Sequence, residues 1–148
     1  MEHRGAVADV GTFLSAADAF VSNSFHEGWS VAASEAAWVG LPVVLSDTGG
    51  AAELTGPDGA YGILVPNPIG DPLRVDKRAL DDPPRAAAAI NEEALAEAIL
   101  SVARNRERWR RRAPDIRTHA RTNLAPGRIA SSYADALLSL AHDARETT

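Results

Sequence analysis

At 148 residues, with no cysteine, few aromatics and a formal net charge of −5, the chain is sized for one modest domain with a real core. Disulfides, zinc–thiolate centres and iron–sulfur clusters are excluded, and the mildly acidic balance argues against a dedicated nucleic-acid binder. The charged start Met1–Asp9 carries no signal-peptide core and no stretch approaches a membrane span, so the expectation is a soluble, cytoplasmic domain.

In chain order, Asp9–Ala19 predicts a short helix, with Val10, Phe13, Leu14 and Ala17 at helical spacing. Ala19-Phe20-Val21 follows as a short buried strand running into the polar loop Ser22-Asn23-Ser24. A second helix is predicted from about Ser30 to Val39, stopped by Gly40 and barred from continuing by Pro42. Leu41–Leu45 is the second strand, ending in the glycine-rich loop Ser46–Gly50. A helical turn near Glu53 and Leu54 leads to a third strand, Tyr61–Val65, closed by Pro66. Three apolar strands separated by helical material predict an α/β, Rossmann-like parallel sheet. Right-handed crossovers then bring the loops after the strands to one edge, where such sheets hold their ligands.

From residue 67 to 90, proline, glycine, aspartate and arginine dominate without a period, which predicts a long surface loop. Asn91–Asn105 predicts a helix capped by Asn91, with Glu92 and Glu93 at its positive end and Ala94, Leu95, Ala98, Ile99 and Val102 on an apolar face. Arg104–Arg121 reads as a strongly basic helix broken or restarted at Pro114, its arginines a solvated face or a patch for an anionic membrane surface. A last helix, about Pro126–Ala144, is expected to turn Ile129, Tyr133, Leu137, Leu138 and Leu140 inward. The division is residues 1–66 as an α/β part, 67–90 as a loop and 91–148 as C-terminal helices.

The chemistry concentrates in Ser24–Glu35, SFHEGWSVAASE. Glu27 stands where the strand-end loop meets the second helix, and Glu35 follows seven intervening residues later, just over one turn inside it. Between them the unpaired amides from about Gly28 to Val31, aided by the helix dipole, suit a phosphate or diphosphate. Gly28 lets a ligand approach the backbone closely. An acidic residue near a helix N-terminus is also a common stabilising device, so the two glutamates alone are weak support for a ligand site.

The surrounding text carries more. It runs Ala17-Asp18-Ala19-Phe20-Val21, Ser24, Glu27-Gly28-Trp29, Glu35-Ala36, Gly40-Leu41-Pro42-Val43-Val44, Ser46-Asp47, Gly49-Gly50, Glu53-Leu54 and Gly62-Ile63-Leu64-Val65-Pro66. This ordered pattern resembles the donor-binding portion of the retaining GT-B glycosyltransferases of family 4, the glycosyl transferases group 1. The resemblance covers Ala17–Pro66 and extends more loosely to the C-terminal helices.

By that resemblance the fold is part of a GT-B C-terminal domain and the chain is a hexosyltransferase domain of carbohydrate biosynthesis, acting on a nucleotide-diphosphate sugar without cofactor or metal. Glu27 would be the catalytic-site residue that holds donor-sugar hydroxyls, Glu35 would hold the ribose, and the amides of Trp29, Ser30 and Val31 would meet the phosphates. The sequence departs from the family in having Trp29-Ser30 for Phe-Gly and Asn23 for a frequent proline, the latter taken as neutral. Trp29 either packs on the sheet edge or lines the donor pocket, and His26 is read as a loop-surface histidine. The resemblance also implies that this chain starts midway through the second of two domains. Its partners would then be a nucleotide sugar together with a complementary N-terminal half or a second copy. The alternatives are a non-catalytic nucleotide-sugar-binding or partner subunit of a split enzyme and, from the same architecture, a sugar-nucleotide epimerase.

Overall fold

The computed structural model of the chain describes residues 3, 5–71 and 91–146. Most of the loop expected over 67–90 therefore lies outside the described residues.

Helix α1, Val10–Ser15, starts at Asp9, whose carboxylate accepts from the Thr12 backbone N–H at 2.9 Å and the Thr12 hydroxyl at 2.7 Å. Strand β1, Phe20–Ser22, precedes α2, Val31–Val39, which Ser30 caps through its hydroxyl oxygen to the Ala33 N–H at 3.3 Å. The far end of α2 closes as a left-handed turn. Gly40 has φ 91°, and the N–H groups of Gly40 and Leu41 return to the carbonyls of Ala37 and Ala36. Leu41 is thereby part of the helix cap, which is why strand β2 is Val43–Ser46 and not Leu41–Leu45. A five-residue helix α3, Ala51–Thr55, and a 3-10 turn at Pro57–Gly59 lead to β3, Gly62–Val65. The C-terminal part is α4, Glu92–Arg104; α5, Arg106–Asn123; and α6, Pro126–Glu146.

The sheet is parallel with order β1-β2-β3, Phe20 opposite Val43 and Val43 opposite Gly62. The central strand is buried at all four positions, so its side chains serve two cores. Val43 and Leu45 join Leu14, Ala33, Ala36, Leu41, Ala51 and Leu54 in one cluster. Val44 joins Val65, Ala98, Val102, Trp109, Ile116 and Ala120 in the other. A strand covered on both faces is what a continuous apolar run such as LPVVL encodes. The alanines of α2 let that helix lie close to the sheet and to α5, since small side chains set the short end of interhelical spacing.

Four further expectations change. Strand β1 is not buried: Phe20 and Ser22 are half-buried and Val21 is 42% exposed, since among the described residues β1 is the edge strand with no neighbour on its outer side. Helix α5 runs unbroken through Pro114, because that residue is exposed while Trp109, Ile116 and Ala120 on either side of it anchor the helix in the core. Asn91 occupies the position before α4 but makes no side-chain cap; its amide is wholly buried and committed elsewhere. The apolar stripe of α6 does not turn inward. Ile129, Tyr133, Leu137, Leu138 and Leu140 are 42–70% exposed, and α6 meets the rest of the chain chiefly through the end of α5. No helix among the described residues is long and apolar enough to cross a membrane.

Candidate functional site

The loops that leave β1 and β2 meet at the C-terminal edge of the sheet and interlock there. The Glu27 N–H donates to the Thr48 hydroxyl at 3.2 Å, and the Gly50 N–H donates to the Gly28 carbonyl at 3.0 Å. The Ser46 hydroxyl donates to the Ser24 carbonyl. Glycine is required on the second loop by close approach. A β-carbon on Gly49, whose φ is +50°, would stand 2.2–2.3 Å from the carbonyl oxygens of Gly28 and Glu27. One on Gly50 would stand 2.2 Å from the indole of Trp29. The family-like Gly49-Gly50 pair is therefore explained by the seat it makes for the first loop.

Trp29 lies across Gly50, and its indole N–H donates to the Ser34 hydroxyl at 2.9 Å, so the ring is fixed to both the second loop and the first turn of α2. It is 37% exposed and also borders a cleft of about 780 Å³ with Glu53, His119, Arg128 and Tyr133. His119 stacks on Tyr61 with centroids 4.1 Å apart. Because the Asn123 amide nitrogen donates to its Nδ1 at 2.8 Å, its Nε2 carries the proton that faces the Glu53 carbonyl at 3.3 Å.

A third strand end is tied in by two asparagines. Asn67, 3% exposed, donates its amide hydrogens to the carbonyls of Phe25 at 3.0 Å and Asp47 at 3.1 Å, while its oxygen accepts from the Ile69 N–H at 3.0 Å. Asn91, 0% exposed, donates to Asn23 Oδ1 at 2.6 Å and to the Pro66 carbonyl at 2.7 Å, and accepts from Asn23 Nδ2 at 3.3 Å. Every loop at this edge is thus held by a neutral side chain satisfying backbone groups that the strands leave open.

On this platform Glu27 is half-buried in a shallow crevice with Ser22, Ser24, Ser30, Ser46 and Thr48. Gly28 and Val31 are exposed, and Ser30 is the helix cap. Glu35 is exposed and lines a different depression, a groove of about 460 Å³ with Val10, Val31 and Trp38. The two glutamates therefore do not share one pocket. The start of α2 joins them, since Ser30 borders the first depression and Val31 the second. Its first amides have no intrahelical acceptor and sit at the positive end of the helix dipole, where they can hold an anion. His26 is exposed on the loop. Among the described residues no group of three or more His, Asp or Glu is placed to hold a metal ion.

The family model for glycosyl transferases group 1 matches residues 1–105. The chain belongs to that family. No curated protein matches it. The glycosyl transferases group 1 match takes in both interlocked loops and α4 and ends before α5.

Sequence reasoning missed Thr48, Asn67 and Asn91 as parts of this loop platform, and took Asn23 as neutral. Asn67 carried one signal, an Asn directly after the strand-closing Pro66, where an amide can satisfy its own backbone two residues on, as it does with Ile69. The pairing of Asn23 with Asn91 spans 68 residues and has no local signal.

Proposed function

We propose that this chain forms the donor side of a retaining hexosyltransferase site and binds a nucleotide-diphosphate sugar at the C-terminal edge of its sheet. The observation that carries the reading is the N-terminus of α2, open between one depression that holds Glu27 and another that holds Glu35. A diphosphate at the amides of Trp29, Ser30 and Val31 would lay its sugar toward Glu27 and its ribose toward Glu35. In that arrangement Glu27 holds sugar hydroxyls and Glu35 holds the ribose diol. Negative charge grows on the leaving diphosphate as the anomeric carbon becomes oxocarbenium-like. Fixed amide donors and the helix dipole then stabilise the transition state more than the bound substrate. The interlock of Glu27–Trp29 with Thr48–Gly50 supplies the rigidity this requires, because donors that need not reorient cost nothing at the moment of reaction.

The acceptor side comes from another surface. Among the described residues no strand pairs with the outer edge of β1, where Val21 is 42% exposed. An unpaired parallel edge favours a complementary glycosyltransferase half or a second copy.

The test is a thermal melt of the chain with a panel of UDP-, GDP- and ADP-sugars, repeated for Glu35→Ala and Glu27→Ala. One nucleotide should raise the midpoint by several degrees, since saturation a hundred-fold above Kd contributes about 2.7 kcal/mol. Both variants should lose that shift. A clear melt that no nucleotide sugar moves would overturn the donor-site reading. Conversion of a nucleotide sugar without any acceptor would replace transfer by epimerisation.

A further inference from the structure

The opposite edge of the sheet carries a feature that donor binding does not use. Helix α5 holds seven arginines against two carboxylates, Glu107 and Asp115, in a chain whose net charge is −5. Arg106, Arg110, Arg117 and Arg121 stand four, eleven and fifteen residues along from the first, which sets them on one face of the helix. They line a cleft of about 580 Å³ with Asp18 and Trp38, between α5 and the segments that lead into β1 and β2. Gly40 makes room for this approach: a β-carbon there would come within 2.6 Å of Arg117 Nε and 2.9 Å of the Ala113 carbonyl.

All four are exposed, as on a solvated face, but unlike scattered surface charges they border one concavity. Among the described residues one carboxylate answers them. Asp18 Oδ1 accepts from Arg106 Nε at 2.7 Å and lies 3.7 Å from a terminal nitrogen of Arg110. Arg117 and Arg121 make no ion pair with a described carboxylate. The Asp18–Arg106 pair is about half exposed on both sides, 52% and 54%, and such pairs contribute little. Four guanidinium groups and one weakly held carboxylate leave a surplus of positive charge that matches a diphosphate, and the planar fork of arginine fits phosphate oxygens in pairs. The volume is that of a small-molecule site, and Trp38, 39% exposed, offers a flat apolar wall for the rest of a ligand. All four arginines lie beyond the residues matched by the family model.

We infer that this arginine cleft is a second anion site, one that takes a soluble phosphorylated small molecule whose phosphates displace Asp18 from Arg106 and Arg110. The concave form favours such a ligand over a flat bilayer.

The probe is inorganic pyrophosphate, titrated by calorimetry into the full chain at low ionic strength. Saturable binding is expected at the cleft beside any at the start of α2, and the cleft component is weakened about tenfold or more in Arg110→Gln/Arg121→Gln. Asp18→Asn should tighten binding several-fold, because the competing carboxylate is gone; a residue with only a structural role would not do that. An isotherm that the double arginine variant leaves unchanged in affinity and stoichiometry, or binding that Asp18→Asn weakens, would overturn the assignment and leave the start of α2 as the pyrophosphate site. A second arm uses vesicles of phosphatidylglycerol in phosphatidylcholine. Vesicle binding without pyrophosphate binding would make the cleft a membrane surface and reject the soluble ligand.

Discussion

Between Ser22 and Asn67 the chain spends its polar side chains on holding loops together, while from Pro126 onward it spends its apolar ones on solvent. The strand-end loops have Thr48, Asn67 and Asn91 buried and bonded to backbone groups of neighbouring loops. Helix α6 has Tyr133, Leu137, Leu138 and Leu140 at 64–70% exposure. Rigidity in this molecule is therefore concentrated where the sheet ends. A buried amide that satisfies several backbone groups fixes geometry more tightly than an amphipathic helix that meets little else.

That contrast can be tested by breaking each side of it. The largest effect should come from Asn91→Ala, which removes a wholly buried amide together with its three hydrogen bonds to Asn23 and the Pro66 carbonyl; a loss of about 2–3 kcal/mol is expected in urea unfolding. Asn67→Ala should cost a similar amount and also weaken nucleotide-sugar binding, because the loops of Phe25 and Asp47 lose a common tie. A fall under about 0.5 kcal/mol for both variants would refute the claim that the edge is stapled.

Gly50→Ala comes next. Its methyl would drive into the Trp29 indole, so the first loop must shift, at about 1–3 kcal/mol. Tryptophan fluorescence should report the displaced ring, and donor binding should fall with it.

A smaller effect concerns acid. Asp9 is held below the usual carboxylate range by the Thr12 backbone N–H first and by the Thr12 hydroxyl second. A folded-state value lower than the unfolded one means the cap contributes above the unfolded value and is lost as pH falls through the folded one. The gap in melting temperature between the chain and Asp9→Asn should therefore close on acidification below pH ~4. A gap that stays constant there would show that the carboxylate is not the capping group.

The smallest effect belongs to the other side of the comparison. Leu137→Ala and Leu138→Ala should each change stability by less than about 0.5 kcal/mol, since neither side chain is withdrawn from water. A cost of 2 kcal/mol or more, typical of a core leucine, would mean that α6 is covered in solution.

Much of the fold was legible because its signals are local. LPVVL announced the second strand, and Gly40 announced a helix end that the φ of 91° realises. Ser30 stood at the start of the predicted second helix, and its hydroxyl caps α2. What stayed hidden depends on distant partners or on surroundings. Asn91 had the local text of a cap, yet its buried amide is committed to Asn23 and the Pro66 carbonyl, partners that lie far away in sequence. Pro114 looked like a break because the local rule counts the missing hydrogen bond and not the burial of Trp109, Ile116 and Ala120 around it. The stripe of α6 correctly signalled a helix, but a period of 3.6 shows only that one face is apolar, never what it lies against. At the site, the glutamates and the start of α2 were readable from Ser24–Glu35. Their separation into two depressions was not, because it depends on how Thr48 and Gly50 seat the first loop.

The distance in sequence between Asn23 and Asn91 has a kinetic consequence. Neighbouring strands pair early at modest loop-closure cost, Phe20 with Val43 and Val43 with Gly62, and can form before α4 arrives. The asparagine tie closes across 68 residues and belongs late in the order of events. Its removal should then accelerate unfolding and leave the refolding rate nearly unchanged, the pattern of a contact absent from the transition state. The tie between Asn23 and Asn91 thus acts as a latch on a sheet edge already assembled, and governs how long the loops around Glu27 stay closed once the chain has folded.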